Sequence, residues 1–386
     1  MYTCIKNARV ILPDRMLEKH SILIEDDRII NVFPDDNVAL PSDCKIIDVE
    51  GKYVGPGFVD IHCHGDKDNW FYDDPVAVSR SHLAHGTTSI MATARLLPTH
   101  EEVLDSVIAI ADGVEEDPDT TVIGIHMEGP YMNPKYGAYR DRSRIPKREE
   151  YYEYLKAGKG LIKTWTIAPE LENINQMVAD IQAATKGKTI FQVGHSEASR
   201  EHISTLFPSG LKIGTHLTNA SGRFVDPPKF LGTREIGVDE SVWLDDGVYA
   251  EVIVDYHGSH VRYDMLKLII KIKGVDKTII ITDSTVAEYA APPVYEGIND
   301  VNYTDDGELM GSALTMDKAV ANVLRQTGVS LVDAFRMATY NPAEAIGMTN
   351  DIGSVSPGRY ANLLVFDYEQ NGEIDLQDII FKGKKV

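Results

Sequence analysis

Long apolar runs are missing from this 386-residue chain, and no stretch approaches the roughly 18 consecutive apolar residues of a membrane-spanning helix. The N-terminal MYTCIKNARV lacks the charged segment followed by an apolar core that marks a signal peptide. Cysteine is scarce as well: Cys4, Cys44 and Cys63 are three residues, too few and too odd in number for a disulfide framework. These absences together predict a cytoplasmic protein in a reducing setting. Positive charge is also in short supply, with 38 Lys and Arg against 59 Asp and Glu and a formal net charge of -21. A nucleic acid or an anionic membrane is therefore not an expected partner, and any anionic substrate needs a local basic pocket.

What is present suits a folded globular chain: 43% hydrophobic and 25% charged residues supply a large core. No internal repeat or low-complexity segment interrupts it. Short runs rich in Val, Ile and Thr alternate with amphipathic stretches, the pattern of a parallel sheet with helices outside it. Eight such runs can be counted, at residues 57–62, 86–93, 121–128, 162–170, 189–195, 211–216, 249–255 and 278–283. Eight strand–helix units predict an α/β fold, a (β/α)8 TIM-like barrel over residues 56–354. Residues 1–55 and 355–386 read instead as short strands joined by polar turns, and predict a small β-sandwich domain formed from both chain ends.

The first run closes with FVDIHCHG, residues 58–65. Side chains alternate faces along a strand, so His62 and His64 point one way and Cys63 the other. In a barrel of parallel strands the functional groups stand where strands exit into the following loops. His62 and His64 end the first run, Glu128 the third, His195 the fifth, His216 the sixth and Asp283 the eighth. Four imidazoles and two carboxylates on one barrel mouth suit one or two divalent transition metal ions. Zn²⁺ is the first expectation; Fe, Mn and Co accept the same donor types.

The segments PGFVDIHCHG, GIHMEGPYMNP, GHSEA, THLTNA, the ITD at 281–283, NPAEAIG and GSVSPGRYANLLVFD resemble the amidohydrolase superfamily, and within it the deacetylases of N-acetylglucosamine 6-phosphate. The resemblance runs from about residue 5 to the C-terminus. It implies a metal-dependent hydrolase that cuts the N-acetyl group from an amino sugar phosphate, releasing acetate and the free amine. Glu128 then stands where many superfamily members carry a carboxylated lysine, and Glu128, His195 and His216 match the more buried metal site. His62 and His64 resemble a pair that supports a second metal in some members. Asp283 is implied as the general base and then acid, as amide hydrolysis requires.

For the substrate, the resemblance implies backbone contacts at Asn219 and Ala220, with an arginine and a histidine on the phosphate. Arg234 and His260 are the nearest matches, with Arg223 and His257 as rivals because the surrounding loops depart from the family pattern. Tyr139 occupies the place of a histidine that helps polarise the substrate carbonyl; a phenol can donate to an oxyanion but brings no positive charge. A homodimer, with a neighbour completing the phosphate site, is implied too. The same metal cluster leaves open an amidohydrolase acting on another N-acetyl amino sugar, a different amide, a cyclic amide or an aminated base.

Overall fold

The computed structural model describes residues 1–386 except 37–38, 223–229, 294–295 and 370–371. Its residue contacts group the chain into two units: Met1–Asp60 with His82–Ser89 and Thr315–Val386, and Ile61–Ser81 with Ile90–Leu314.

All eight apolar runs become strands of one parallel sheet: β1 (Phe58–Cys63), β2 (Thr87–Ala94), β3 (Val122–Glu128), β4 (Ile162–Ile167), β5 (Ile190–Val193), β6 (Leu211–Gly214), β7 (Tyr249–Ile253) and β8 (Thr278–Ile281). They lie side by side in chain order. At the C-terminal ends of the two end strands, the Asp283 N–H donates to the His62 carbonyl and the His64 N–H to the Ser284 carbonyl, both at 2.9 Å, so the sheet nearly closes into a barrel. β1, β2, β5, β7 and β8 are buried at every residue. That burial is why these runs are mostly apolar or small rather than alternating, with Asp60, His62, Gln192 and Glu251 as the exceptions.

Among the described residues, one α-helix fills each connection from β1 to β8: Pro75–Leu83, His100–Glu116, Arg148–Ala157, Ile174–Thr185, Arg200–Leu206, Val238–Leu244 and Tyr263–Lys273. The longest, His100–Glu116, starts at a capping box in which Thr99 Oγ1 accepts from the Glu102 N–H and Glu102 accepts from the Thr99 N–H. It buries Val103, Val107, Ile110 and Ala111 at helical spacing. No helix among the described residues is long and apolar enough to cross a membrane.

The two chain ends share a second, eight-stranded sheet. Tyr2–Ile11, Met16–Glu25 and Arg28–Pro34 form an antiparallel meander. Tyr53–Pro56 pairs parallel with the first of these and antiparallel with Leu363–Tyr368, which carries the C-terminal strands. Ile5, Val10, Ile22, Ile24, Val54, Leu363, Val365 and Ile380 make its core.

Five barrel strands, β4 to β8, stop two or three residues earlier than the apolar runs predict. β5, β6 and β8 end at Val193, Gly214 and Ile281, so His195, His216 and Asp283 stand just past them. His216 and Asp283 adopt φ of 23° and 48°, left-handed backbone that cannot continue a pleated strand. Both side chains are placed by the turn rather than by the pleat.

Candidate active site

The six candidate ligands meet at the strand exits of the barrel. Glu128, at the end of β3, lies at their centre. Its Oε1 is 3.2 Å from His195 Nε2 and 3.2 Å from His216 Nε2, and the two imidazole nitrogens are themselves 3.2 Å apart. Its Oε2 is 3.0 Å from His64 Nε2, while His62 Nε2 is 3.5 Å from Oε1. Asp283 Oδ1 stands 3.4 Å from His64 Nε2 and 3.7 Å from His62 Nε2. Two buried triads result, His62–His64–Glu128 and Glu128–His195–His216, sharing one carboxylate.

This donor set fits metal ions. Donors bound tetrahedrally at the roughly 2.0–2.1 Å of zinc–nitrogen and zinc–oxygen bonds lie about 3.3 Å apart. The Glu128–His195–His216 triangle has edges of 3.2 Å. The electrostatics agree. Burial by itself would push the Glu128 carboxyl up, but the imidazoles of His62, His195 and His216 hold it well below the carboxylate range. Burial opposes ionisation of Asp283 too, and His64 and His62 reverse that effect. Conversely, burial disfavours charge on His62 and His64, and the neighbouring carboxylates lift both above the usual imidazole value. A cluster of ionised carboxylates under desolvation demands positive charge, which metal ions supply while leaving each imidazole neutral as a ligand.

A second layer orients the ligands. His62 Nδ1 faces Glu251 Oε2 of β7 at 3.5 Å, and Glu251 is fully buried. His195 Nδ1 faces the Tyr136 carbonyl at 3.4 Å. The loop carrying that carbonyl approaches so closely that a Cβ on Gly137 would lie 2.1 Å from His195 Nδ1, so only glycine fits there. Below them His126 packs its ring 4.7 Å from that of His62 and meets the Thr164 and Thr166 hydroxyls at 2.6 and 3.1 Å. Burial and the neighbouring His62 hold its pKa well below the usual value, so it is a neutral strut.

His64, Glu128, His195, His216 and Asp283 form the floor of a cleft whose lining also includes Trp70, Arg95, Met132, Tyr139, Asn219, Thr285 and Met310. Tyr139 is reached from a left-handed residue position, φ 56°. Its hydroxyl donates to Glu288 Oε2 at 3.1 Å. Burial, reinforced by Glu288 against the pull of Arg95, pushes the phenol up to about 12, so it keeps its proton at neutral pH. Glu288 also accepts from Trp70 Nε1 and Arg95 Nη1, each at 3.2 Å. The Arg95 guanidinium lies over the Trp70 ring at 4.0 Å and the Tyr139 ring at 4.7 Å.

The structure thus brings together His62, His64, Glu128, His195, His216, Asp283, Tyr139 and Asn219. Ala220 follows Asn219 in a left-handed conformation but does not line the cleft. Arg234 is not among the lining residues either; its side chain is 63% exposed and paired with Glu240. His260 is buried against Asp255, which accepts its N–H at 2.9 Å and faces its Nδ1 at 3.2 Å, and His257 packs by the Tyr256 ring at 4.9 Å. Arg223 lies outside the described residues. Sequence reasoning missed Trp70, Arg95, Glu251, Glu288 and His126. His126 and Arg95 could have been found, the first from its i, i+2 spacing to Glu128 and the second as the residue directly after β2.

The pattern of the Amidohydrolase family matches residues 53–386. An N-acetylglucosamine-6-phosphate deacetylase of Haemophilus influenzae is 31% identical, with 91% of each chain covered. Among solved structures, the N-acetylglucosamine-6-phosphate deacetylase of Pasteurella multocida superposes with a TM-score of 0.84 at 27% identity over the whole of both chains. A variant of the Mycobacterium smegmatis enzyme in complex with N-acetyl-D-glucosamine 6-phosphate gives 0.82 at 25% identity, covering 100% of this chain and 99% of that one. With the family pattern over residues 53–386 and two candidate metal-binding triads at its barrel mouth, this chain belongs to the amidohydrolase family.

Proposed function

We propose that the chain hydrolyses the N-acetyl group of an amino sugar 6-phosphate, N-acetylglucosamine 6-phosphate first, to glucosamine 6-phosphate and acetate. The observation that carries this reading is the pair of triads sharing Glu128 with Asp283 at hydrogen-bonding range of the His64 position. The relatives named for this reaction supply the substrate class. Glu128, His195 and His216 would hold one divalent ion and His62, His64 and Glu128 a second, Zn²⁺ by donor type; such an ion activates water and polarises the amide carbonyl.

The protein's own groups divide the remaining work. Asp283, ionised because His64 and His62 offset its burial, takes the proton of the water that attacks the acetyl carbon. As the carbon–nitrogen bond breaks, Asp283 returns that proton to the amine nitrogen, so acetate and the free amine leave together. Asn219 lines the cleft beside His216, whose carbonyl accepts the Asn219 N–H at 2.9 Å, and offers its polar groups to the sugar. Tyr139 keeps its proton and, held on Glu288, stands in the wall of the cleft. A cytoplasmic homodimer without a nucleic-acid or membrane partner completes the proposal.

The test is acetate release from N-acetylglucosamine 6-phosphate by protein of measured metal content. One to two equivalents of transition metal per chain and turnover that stops on chelation and returns with Zn²⁺ are expected. Full metal loading with hydrolysis only of a cyclic amide or aminated base would reject the sugar.

A further inference from the structure

The four imidazoles at the barrel mouth are not supported alike. His195 Nδ1 faces a backbone carbonyl, that of Tyr136, at 3.4 Å. The Nδ1 atoms of His64 and His216 are buried and meet no hydrogen-bond partner among the described residues. Behind His62 stands a carboxylate: its Nδ1 lies 3.5 Å from Glu251 Oε2, and both residues are fully buried. No lysine or arginine pairs with Glu251 among the described residues. Gln192, buried as well, donates to both Glu251 oxygens, at 3.1 and 3.2 Å, and to Thr215 Oγ1 at 3.2 Å, in the amide orientation that satisfies both of its ends. Thr215 directly precedes His216, and the Leu217 N–H after it donates to the Glu251 carbonyl at 2.8 Å. Glu251 is therefore held by both its backbone and its side chain.

A carboxylate taken out of water and given only neutral donors is costly unless positive charge stands near it. One imidazole away lies the His62–His64–Glu128 triad. With Nε2 on an ion, the ring's Nδ1–H becomes a stronger donor to the carboxylate, and the carboxylate in return makes Nε2 a more basic ligand. The Nδ1 atoms of His195 and His216 face no such carboxylate among the described residues. We propose that Glu251 is the positioning residue that sets the affinity of the His62–His64–Glu128 site, by fixing the Nδ1–H tautomer of His62 and by placing a negative charge behind its ring. The Glu128–His195–His216 site is independent of it. The proposal rests on the metal-dependent reading above and deepens it: occupancy of the second site is set from the barrel interior, by a residue that contacts neither ion nor substrate.

The experiment titrates chelator-stripped wild type, Glu251→Gln and Glu251→Leu with Zn²⁺, reading stoichiometry by elemental analysis and the two dissociation constants by chelator competition, with circular dichroism as the check of folding. Glutamine keeps the shape and an acceptor for the Nδ1–H but loses the charge. Leucine fills similar space without polar atoms and serves should the Gln variant fold poorly. Wild type is expected to bind two equivalents; in the variants the first should bind as before and the second on the order of 10- to 100-fold more weakly, the usual cost of removing a partner of a metal-bound histidine. Acetate release from N-acetylglucosamine 6-phosphate, followed in parallel, should fall at limiting Zn²⁺ and recover in excess, a rescue that a merely structural role would not show. A wild type holding a single equivalent, a second ion bound as tightly in the folded variants as in wild type, or equal weakening of both ions overturns the proposal. If wild type binds two ions, Glu251→Gln loses the second, and neither N-acetylglucosamine nor its 6-phosphate is hydrolysed, the deacetylase reading fails and the role of Glu251 stands; a working deacetylase whose Glu251→Gln variant keeps both ions gives the reverse.

Discussion

His62, His64, Glu128, His195, His216 and Asp283 stand at or just past the ends of barrel strands, whereas the wall around Arg95 is assembled from Trp70, Tyr139 and Glu288 on three separate loops. The floor is placed by the strand ends and the tight turns directly after them, so a residue's count from a strand end nearly specifies its position. The wall is placed by contacts between loops, for which no sequence period exists. Floor residues should accordingly be indispensable for chemistry, and wall residues should tune which substrate is accepted.

The largest effect is expected at the floor. Replacing His195 or His216 by Ala should strip most of the metal, read by elemental analysis, and abolish detectable acetate release. If either variant keeps its full metal content, the triad sharing Glu128 is not the ion site. Asp283→Asn should keep its metal and lose about 10²- to 10⁴-fold in kcat, because an amide cannot carry the proton. Undiminished turnover in that variant would remove Asp283 from the proton path.

At the wall the effects should be smaller and sit in KM. Glu288→Gln removes the charge that holds Arg95, Tyr139 and Trp70 together, and a roughly 3- to 10-fold rise in KM for the phosphorylated sugar is expected, within the range of one weakened charge-assisted bond. Tyr139→Phe keeps the ring under the Arg95 and Arg142 guanidinium groups and loses only the hydroxyl. A change of at most a few-fold is expected. A loss in kcat on the scale of Asp283→Asn would make the phenol a donor to the reacting carbonyl and move Tyr139 from wall to floor.

The same contrast explains what could be read from the sequence. The eight-stranded barrel and the sheet from both chain ends were legible because burial on both faces leaves an apolar run, and turns leave polar punctuation. The convergence of the six candidate ligands was legible because imidazoles and carboxylates recurred at strand exits. Arg95 obeys the same positional rule, directly after β2, yet one arginine among 38 basic residues carries no signal by type. Glu251 was hidden for another reason: an acidic residue inside a buried strand is conspicuous only once its partner, His62, is known to lie across the barrel. Trp70 and Glu288, 218 positions apart, become neighbours only through the closure of the barrel.

His260 sharpens the comparison from the opposite side, as a loop residue that family resemblance singles out and that the fold uses elsewhere. Asp255 is fully buried and accepts the N–H groups of Ser259 and His260 while facing the His260 ring. Burial alone would raise its carboxyl; the His260 ring and the two N–H groups outweigh that and hold it at about 2. Because the folded value lies below the unfolded one, near 3.9, the stabilisation is present at neutral pH and is lost as pH falls from about 4 toward 2; a shift of that size corresponds to about 2 kcal/mol. His260→Asn removes the ring and leaves both N–H bonds. Denaturant unfolding at pH 7 should then show a loss of about 1 kcal/mol, shrinking as the pH is lowered below 4 and Asp255 takes up its proton in both proteins. The preference for phosphorylated over unphosphorylated sugar should hardly move. If stability is instead unchanged and that preference falls, His260 belongs to substrate binding, and the line between floor and wall has to be redrawn to include it.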